Sequence, residues 1–373
     1  MREYIMKIKQ ELLQHFHYLH ENAEVSWQEV NTTQYLKEVL SDLGYKVNTF
    51  NDCTGLYADF GQGNPIVAVR ADIDALWQEV DGCFKANHSC GHDAHMSMIL
   101  GVAKCMQHEN FKGTLRLIFQ PAEEKGNGAL KMIEKGIVED VEYLYGIHLR
   151  PIQEIPFGVA SPVIVHGAGQ MVDGQVQGVD SHGARPHLTV NAIDVMTTIN
   201  EQLNQIRIDP QIPHSIKMTY IRAGGDSRNI IPGNGQFGLD LRAQTNEAMQ
   251  ELVQKFKQII NGVCTTLGAT IHYSIITAMP AAVQNEQAIQ FARTGIAEVI
   301  GEQNIIPTLI TSGGDDFHFY TIKKPQLKAT MIGLGCNLTP GLHHPYMSFN
   351  TDALEIGTNI LTKTVLATFR AQQ

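Results

Sequence analysis

The chain has 373 residues, of which 43% are hydrophobic and 18% charged, enough to fill two compact cores and inconsistent with a disordered or low-complexity protein. A formal net charge of -10 without a Lys/Arg cluster argues against nucleic-acid and anionic-membrane partners. No apolar run is long enough to cross a bilayer, and the N-terminal MREYIMKIKQELLQHF lacks the apolar core of a secretory signal, so a cytoplasmic enzyme acting on small molecules is expected.

In chain order, apolar spacing predicts a helix through Leu19 and another from Trp27 to Leu43, stopped by Gly44. Apolar strands follow at PIVAVRA and TLRLIFQ, and this alternation predicts an α/β domain around a mixed, largely parallel sheet with helices on both faces. From about Gly169 the pattern changes to strand QMVDGQVQGV, a helix over Val190 to Ile206, strands near Ile216–Ile221 and Gly235–Arg242, a helix over Asn246 to Leu267 and strand TIHYSII. That texture predicts an inserted α+β domain over 169–279. After Met279-Pro280 the first texture returns with a helix near Gln287–Ile300, strand KATMIGLG and a final helix. The first domain is therefore expected to be discontinuous, 1–168 with 280–373. Six scattered cysteines form no disulfide framework and suit a reducing compartment.

Open α/β sheets place their chemistry beyond the C-terminal ends of strands, and four polar motifs fall near such ends. In VAVRADIDAL, Asp72 and Asp74 follow the two-residue strand period onto one face, where two carboxylates repel unless a cation or proton lies between them; a solvated turn is the plainer account. In NHSCGHDAH, Cys90 and His92 flank a glycine, and thiolate with imidazole suits zinc, manganese or cobalt. A buried structural cysteine and a Cys–His nucleophilic pair are the alternatives, the latter without any separate reason for a depressed thiol pKa. In FQPAEEKGNG, Glu123 and Glu124 are adjacent, so one can ligate a metal while its neighbour handles a proton; isolated, such a pair is usually surface. The fourth set is scattered: His148 of GIHLRP at the end of strand VEYLYGI, and His343 and His344 of GLHHPY in a turn.

These motifs resemble the aminoacylase and carboxypeptidase superfamily of two-metal amidohydrolases. The likeness is to the branch of bacterial N-acyl amino acid amidohydrolases and plant auxin–amino acid conjugate hydrolases. RADIDAL resembles that branch's RADMDALP, SCGHDAH its ACGHDAH, QPAEE its QPAEE, GIHLRP its GxHxxP and LHHP its LHSP. SHGARPH and GGDSRNIIP followed by DLR resemble its lid motifs. The resemblance spans nearly the whole chain. It implies metal ligands Cys90, His92, Glu124, His148 and His343, Glu123 as general base, and Asp74 as a carboxylate steadying a ligand. It further implies that His182 supports the developing oxyanion in a partner subunit's site, and that Asn229 and Arg242 hold the substrate carboxylate. Two divalent ions, Mn or Zn with Co or Ni as other possibilities, would serve an N-acyl amino acid substrate, in a homodimer formed through the inserted domain. Three departures stand out: Trp77 where the branch has proline, Asn22-Ala23-Glu24 for HPE, and SGGDDFHFY for a GSEDF-like segment. Rival readings are a dipeptidase or carboxypeptidase on the same scaffold, with Asp315 or Asp316 meeting a free amino group, and a non-catalytic metal- or ligand-binding homologue.

Overall fold

The structure is a computed structural model that describes residues 2–372; the side chains of the first seven residues, where the N-terminal apolar pattern begins, lie outside the described ones. The chain divides into two compact units. The first runs to Val165 and takes in Val283–Ile310 and the segment from Asp316; the second comprises His166–Ala282 and Thr311–Asp315.

In the first unit, helix α1 (Arg2–Glu21) and helix α2 (Val30–Asp42) precede strands β1 (Lys46–Thr49), β2 (Leu56–Gln62) and β3 (Ile66–Asp72). A hairpin of β4 (Leu76–Val80) and β5 (Cys83–Asn87) leads to helix α3 (His92–Met106), β6 (Gly113–Gln120), helix α4 (Gly128–Glu134) and β7 (Tyr143–Pro151). Seven strands form one sheet in the order β1, β2, β6, β3, β7, Lys328–Leu338, Ala160–Ser161. The four inner strands are mutually parallel and the outer pairings antiparallel. This is the mixed, largely parallel sheet that the alternating pattern implies.

The two faces of the sheet follow from the two-residue strand period. Val67, Val69 and Ala71 of β3, with Leu115, Leu117 and Phe119 of β6, pack into a core that also holds Leu12 of α1, Ile99 of α3 and Leu361 and Val365 of helix Ala353–Ala371. The alternate residues Ile66, Ala68 and Ile118 face a second core with Met132 of α4, Phe317 and Tyr320. Strands covered on both faces need continuous apolar sequence, and β3 and β6 are buried at every residue. Helix α2 begins at Val30, three residues later than the apolar spacing suggests. The chain first bends through Trp27, which has φ 68, to turn Ser26 and Glu29 inward. Strand β7 continues past His148 to Pro151, because parallel pairing with Lys328–Leu338 runs on through His148 opposite Gly333 and Arg150 opposite Gly335. His148 thus lies within the strand.

The second unit is a four-stranded antiparallel sheet in the order His214–Ala223, Gly235–Ala243, Ala168–Gln177, Thr270–Met279. Helices Ala192–Leu203 and Asn246–Leu267 cover it, with Val195, Ile199, Leu252 and Phe256 packed on Val172, Phe237 and Leu239. Both helices start at side-chain caps, Asn191 and Thr245, which accept the amide hydrogens of Ile193 and Ala248 and fill bonds the first turn cannot make. No helix among the described residues is long and apolar enough to cross a membrane.

Candidate metal centre

Sheet order alone explains why distant motifs meet. Strands β6, β3, β7 and Lys328–Leu338 are neighbours running in parallel, so the segments after their C-terminal ends share one rim. Asp72 ends β3, Glu123 and Glu124 follow β6, His148 lies near the end of β7, and His343 follows Lys328–Leu338. Cys90 and His92 enter at the start of α3, where Gly91 has φ 88, a conformation that favours glycine.

Each imidazole is oriented by its second nitrogen. His92 Nδ1 donates to the Asp74 carbonyl at 2.8 Å, and His148 Nδ1 donates to the Leu149 carbonyl at 2.7 Å. Both rings therefore carry a proton on Nδ1 and turn Nε2 toward the rim. His148 Nε2 is 3.6 Å from Cys90 Sγ. Glu124 Oε1 is 3.4 Å from His343 Nε2 and 3.9 Å from His92 Nε2, and Glu123 Oε2 is 3.9 Å from His92 Nε2. Potential ligand atoms of Cys90, His92 and His148 lie within 4.8 Å of one another, as do those of Cys90, Glu124 and His343, and those of His92, Glu123 and Glu124. His343 is held in place by its backbone, which has φ 63, donates from its amide to Ser89 O at 2.7 Å and accepts from Gln78 Nε2 at 2.8 Å.

Electrostatics set this cluster apart from an ordinary buried polar patch. Burial, reinforced by Glu124, pushes the Cys90 thiol well above its usual range. That is the opposite of what a nucleophilic cysteine needs, so the Cys–His nucleophile finds no support. Burial and the neighbouring His95 and Arg150 hold His148 well below the usual imidazole value. Burial works against protonated His92, but Asp72, Cys90 and Asp74 outweigh it and raise its pKa well above normal. His92 Nε2 and Glu124 Oε1 are buried without a hydrogen-bond partner. A carboxylate oxygen and an imidazole nitrogen, desolvated beside a thiol and lacking partners, are costly to leave so. Thiolate, imidazole and carboxylate together fit divalent ions of the zinc and manganese type.

His95, Asp72 and His92 also lie close together, but His95 is already engaged: Nδ1 donates to Asp72 Oδ1 at 2.7 Å and Nε2 accepts the Leu149 amide at 3.1 Å. Asp72 is held further by Arg70 Nη1 at 2.7 Å. Arg70 continues to Asp316 Oδ1 at 2.8 Å and Gln120 Oε1 at 2.9 Å, and Asp316 also accepts from Gln120 and the Ala129 amide. Asp316 is thus a buried structural carboxylate with its oxygens engaged, not one free to meet a substrate amine. Arg70 carries little local signal of this role, because arginine usually reads as a surface residue; its place two residues before Asp72 in an otherwise apolar strand is the available clue. Asp74 accepts the amide hydrogens of Glu123 and Glu124, each at 3.1 Å, and the Ser26 hydroxyl at 2.6 Å. It steadies the acidic turn as well as His92. Trp77 stands on β4 of the hairpin and is 63% exposed.

The sequence of residues 68–367 matches the pattern of peptidase family M20/M25/M40. The chain belongs to that family. Among relatives of M20 type, an IAA-amino acid hydrolase of Arabidopsis thaliana is 30% identical, over 92% of this chain and 81% of its own length. The N-acetylcysteine deacetylase of Bacillus subtilis is 28% identical, over 91% and 92%. Among solved structures, a dinuclear metal-binding M20 peptidase of Bacillus subtilis aligns over 98% of this chain and 99% of its own, with TM-score 0.83 and 24% identity. The aminobenzoyl-glutamate utilization protein of Klebsiella pneumoniae covers 98% of both chains, with TM-score 0.77 and 20% identity. These two establish the fold. M20 membership makes the chain a hydrolase of amide bonds.

The remaining expected residues lie in the second unit and fall into two groups. His182 pairs with Ile230 in a short two-stranded ribbon, and the Asn229 carbonyl accepts the Gly183 amide at 2.7 Å; both side chains are in exposed residues. Arg242 is elsewhere. It lies one residue from the far end of strand Gly235–Ala243, where its Nε donates to Asp240 Oδ1 at 2.8 Å and its side chain lines a cavity of about 200 Å³ with His214, Ser215 and Gln244. Asn229 precedes the near end of the same strand, and the seven residue steps from Gly235 to Arg242, at about 3.3 Å each, account for roughly 20 Å of extended chain.

Proposed function

We propose that the protein is a two-metal amidohydrolase that cleaves N-acyl amino acids to a carboxylic acid and a free amino acid. The observation that carries this is the meeting of Cys90, His92, Glu124, His148 and His343 at one rim, with buried, unpartnered ligand atoms and Glu123 alongside. Those five residues would hold two divalent ions, with manganese or zinc favoured by the mixed thiol, imidazole and carboxylate donors and cobalt or nickel acceptable. Such ions supply Lewis acidity, which acidifies water and polarises a carbonyl. Glu123 takes a proton from the attacking water as oxygen bonds to the amide carbon, and delivers it to the amine nitrogen as the carbon–nitrogen bond breaks. Asp74 keeps Glu123 and Glu124 aimed through their amides and fixes the His92 tautomer through its own carbonyl. His182 donates to the developing oxyanion.

The substrate carboxylate requires Asn229 and Arg242 together, and their separation within a chain favours a homodimer. One copy lends His182 and Asn229 to a substrate site whose Arg242 belongs to the other, joined through the second unit. Exposed Tyr220 and Ile221 on edge strand His214–Ala223, and Ile275 and Ile276 on edge strand Thr270–Met279, offer apolar edges for such pairing. Relatives named for IAA-amino acid and N-acetylcysteine hydrolysis support an N-acyl amino acid, and the engaged state of Asp316 removes one of the two carboxylates that could meet a free amino group. A reducing, cytoplasmic setting suits Cys90 as a ligand.

The test is a panel of N-acetyl, phenylacetyl, indoleacetyl and aminobenzoyl amino acids against free dipeptides, with Mn, Zn, Co and Ni. Glu123→Gln should retain both ions and lose about 100- to 10,000-fold in kcat. Asn229→Ala and Arg242→Ala should each be inactive alone, while their mixture recovers activity from hybrid dimers that carry one intact site. Absence of recovery would remove the shared-site arrangement, and preference for free dipeptides would remove the substrate class.

A further inference from the structure

The segment that carries Glu123 and Glu124 is not aimed by a regular element. Ala122 has φ 52, and the short 3-10 turn that follows, Glu123–Lys125, has no side-chain cap of its own. A left-handed non-glycine residue costs about 1–2 kcal/mol and persists only where surroundings hold it. Three consecutive amides here are received by carboxylates from elsewhere in the first unit. Glu123 and Glu124 donate to Asp74, and Ala122 donates to Glu29 Oε1 at 2.9 Å.

Glu29 is fully buried, and its other oxygen accepts the Thr54 hydroxyl at 2.6 Å. It arrives through the same bend as Ser26, which holds Asp74, so the strained Val25–Glu29 loop delivers a support to each carboxylate that grips the acidic turn. Burial lifts the Glu29 carboxyl to about 7, with the Thr54 hydrogen bond opposing and the Asp74 charge adding to the rise. A carboxylate kept here at that cost is explained by its reach and its acceptor oxygens rather than by charge pairing. Without it the Ala122 amide would be buried unsatisfied, costing about 1–3 kcal/mol, and the turn would lose its reason to stay left-handed.

We propose that Glu29 is a positioning residue of the hydrolytic site: by accepting the Ala122 amide hydrogen it fixes the left-handed turn and hence the direction of the Glu123 carboxylate. This rests on the reading of Glu123 as the proton carrier.

Glu29→Ala, Glu29→Gln, Glu29→Asp and Glu123→Gln are to be compared in the metal-loaded protein for kcat, KM, metal stoichiometry and melting temperature. An ångström-scale shift of a reacting group costs up to about 100-fold, so Glu29→Ala should lose about 10- to 100-fold in kcat with KM and metal content close to wild type. Glu29→Gln keeps an acceptor oxygen at the same reach and should restore most of that loss; Glu29→Asp, one methylene short, should not. Wild-type kcat in Glu29→Ala or Glu29→Asp would overturn the proposal, as would a Glu29→Gln enzyme as slow as the alanine variant. Loss of metal from Glu29→Asp would also overturn it, by assigning the residue to the ion site itself. Full turnover in Glu123→Gln would instead remove the underlying reading, whereas an inactive Glu123→Gln beside a normal Glu29→Ala removes only this inference.

Discussion

Arg70→Met tests whether the rim is held up by the charged network beneath it. Arg70 is 2% exposed and bridges Asp72, Asp316 and Gln120 with bonds of 2.7–2.9 Å. Methionine fills much of the stem volume but leaves two buried carboxylates short of their cation. Breaking a buried pair by removing one partner costs about 3–5 kcal/mol, roughly a fifth or more of the stability of a typical domain, about 5–15 kcal/mol. At about 2–4 °C per kcal/mol for a unit of this size the melting temperature should fall by roughly 10 °C near neutral pH. The pH dependence has a definite sign. Burial pushes the Asp72 carboxyl upward, but His92, Arg70 and His95 more than offset it and hold it well below its ordinary 3.8. A carboxyl depressed in the folded state contributes stability above its unfolded value, and that contribution is lost as pH falls through the folded value. Without Arg70 the folded value rises, so the deficit of the variant relative to wild type should be largest near neutrality and shrink on acidification. Calorimetric melts of metal-free protein at about pH 7.5 and about pH 3, below the ordinary carboxyl value of 3.8, measure both quantities. A loss under about 3 °C at neutral pH, or an equal loss at both pH values, would refute this account of Arg70.

Metal affinity should rise with pH, because Cys90 and His92 both have raised pKa values in the ion-free protein and must shed protons to become ligands; calorimetric titration in buffers of different ionisation enthalpy should detect proton release, and affinity flat from about pH 6 to pH 8 would contradict it. Removing the ions by chelation should abolish turnover and lower the melting temperature, since an ion at a thousandfold excess over its Kd stabilises by about 4 kcal/mol. Gly128→Ala should destabilise by about 2–4 kcal/mol and impair turnover, because its Cβ would fall 1.7 Å from the Pro121 carbonyl oxygen, at the root of the Glu123–Glu124 turn; a urea melt with parallel kinetics checks both.

The rim was legible in the sequence because its chemistry is local. Cys90, Gly91 and His92 are consecutive, Glu123 and Glu124 are adjacent, and apolar runs announce the strands that deliver them. What supports the rim was not legible, since support comes from afar: Glu29 holds a residue 93 positions away and Arg70 reaches one 246 positions away. No pattern of residue types encodes such pairings. Asn229 and Arg242, close in sequence, lie toward opposite ends of strand Gly235–Ala243, because an extended strand separates what it joins. The end of β7 was placed early for a similar reason. Strand pairing with Lys328–Leu338, which no local signal reveals, decides where it stops.

Strand Lys328–Leu338 sits between β7 and Ala160–Ser161, although it is translated after the whole second unit. A nascent chain that has delivered every other strand of that sheet still presents one gap in it, and parallel strands are slow to insert. His343 leaves the ribosome only after this strand. With His343 among the proposed ligands, completion of the ion site would fall to a late step of biosynthesis.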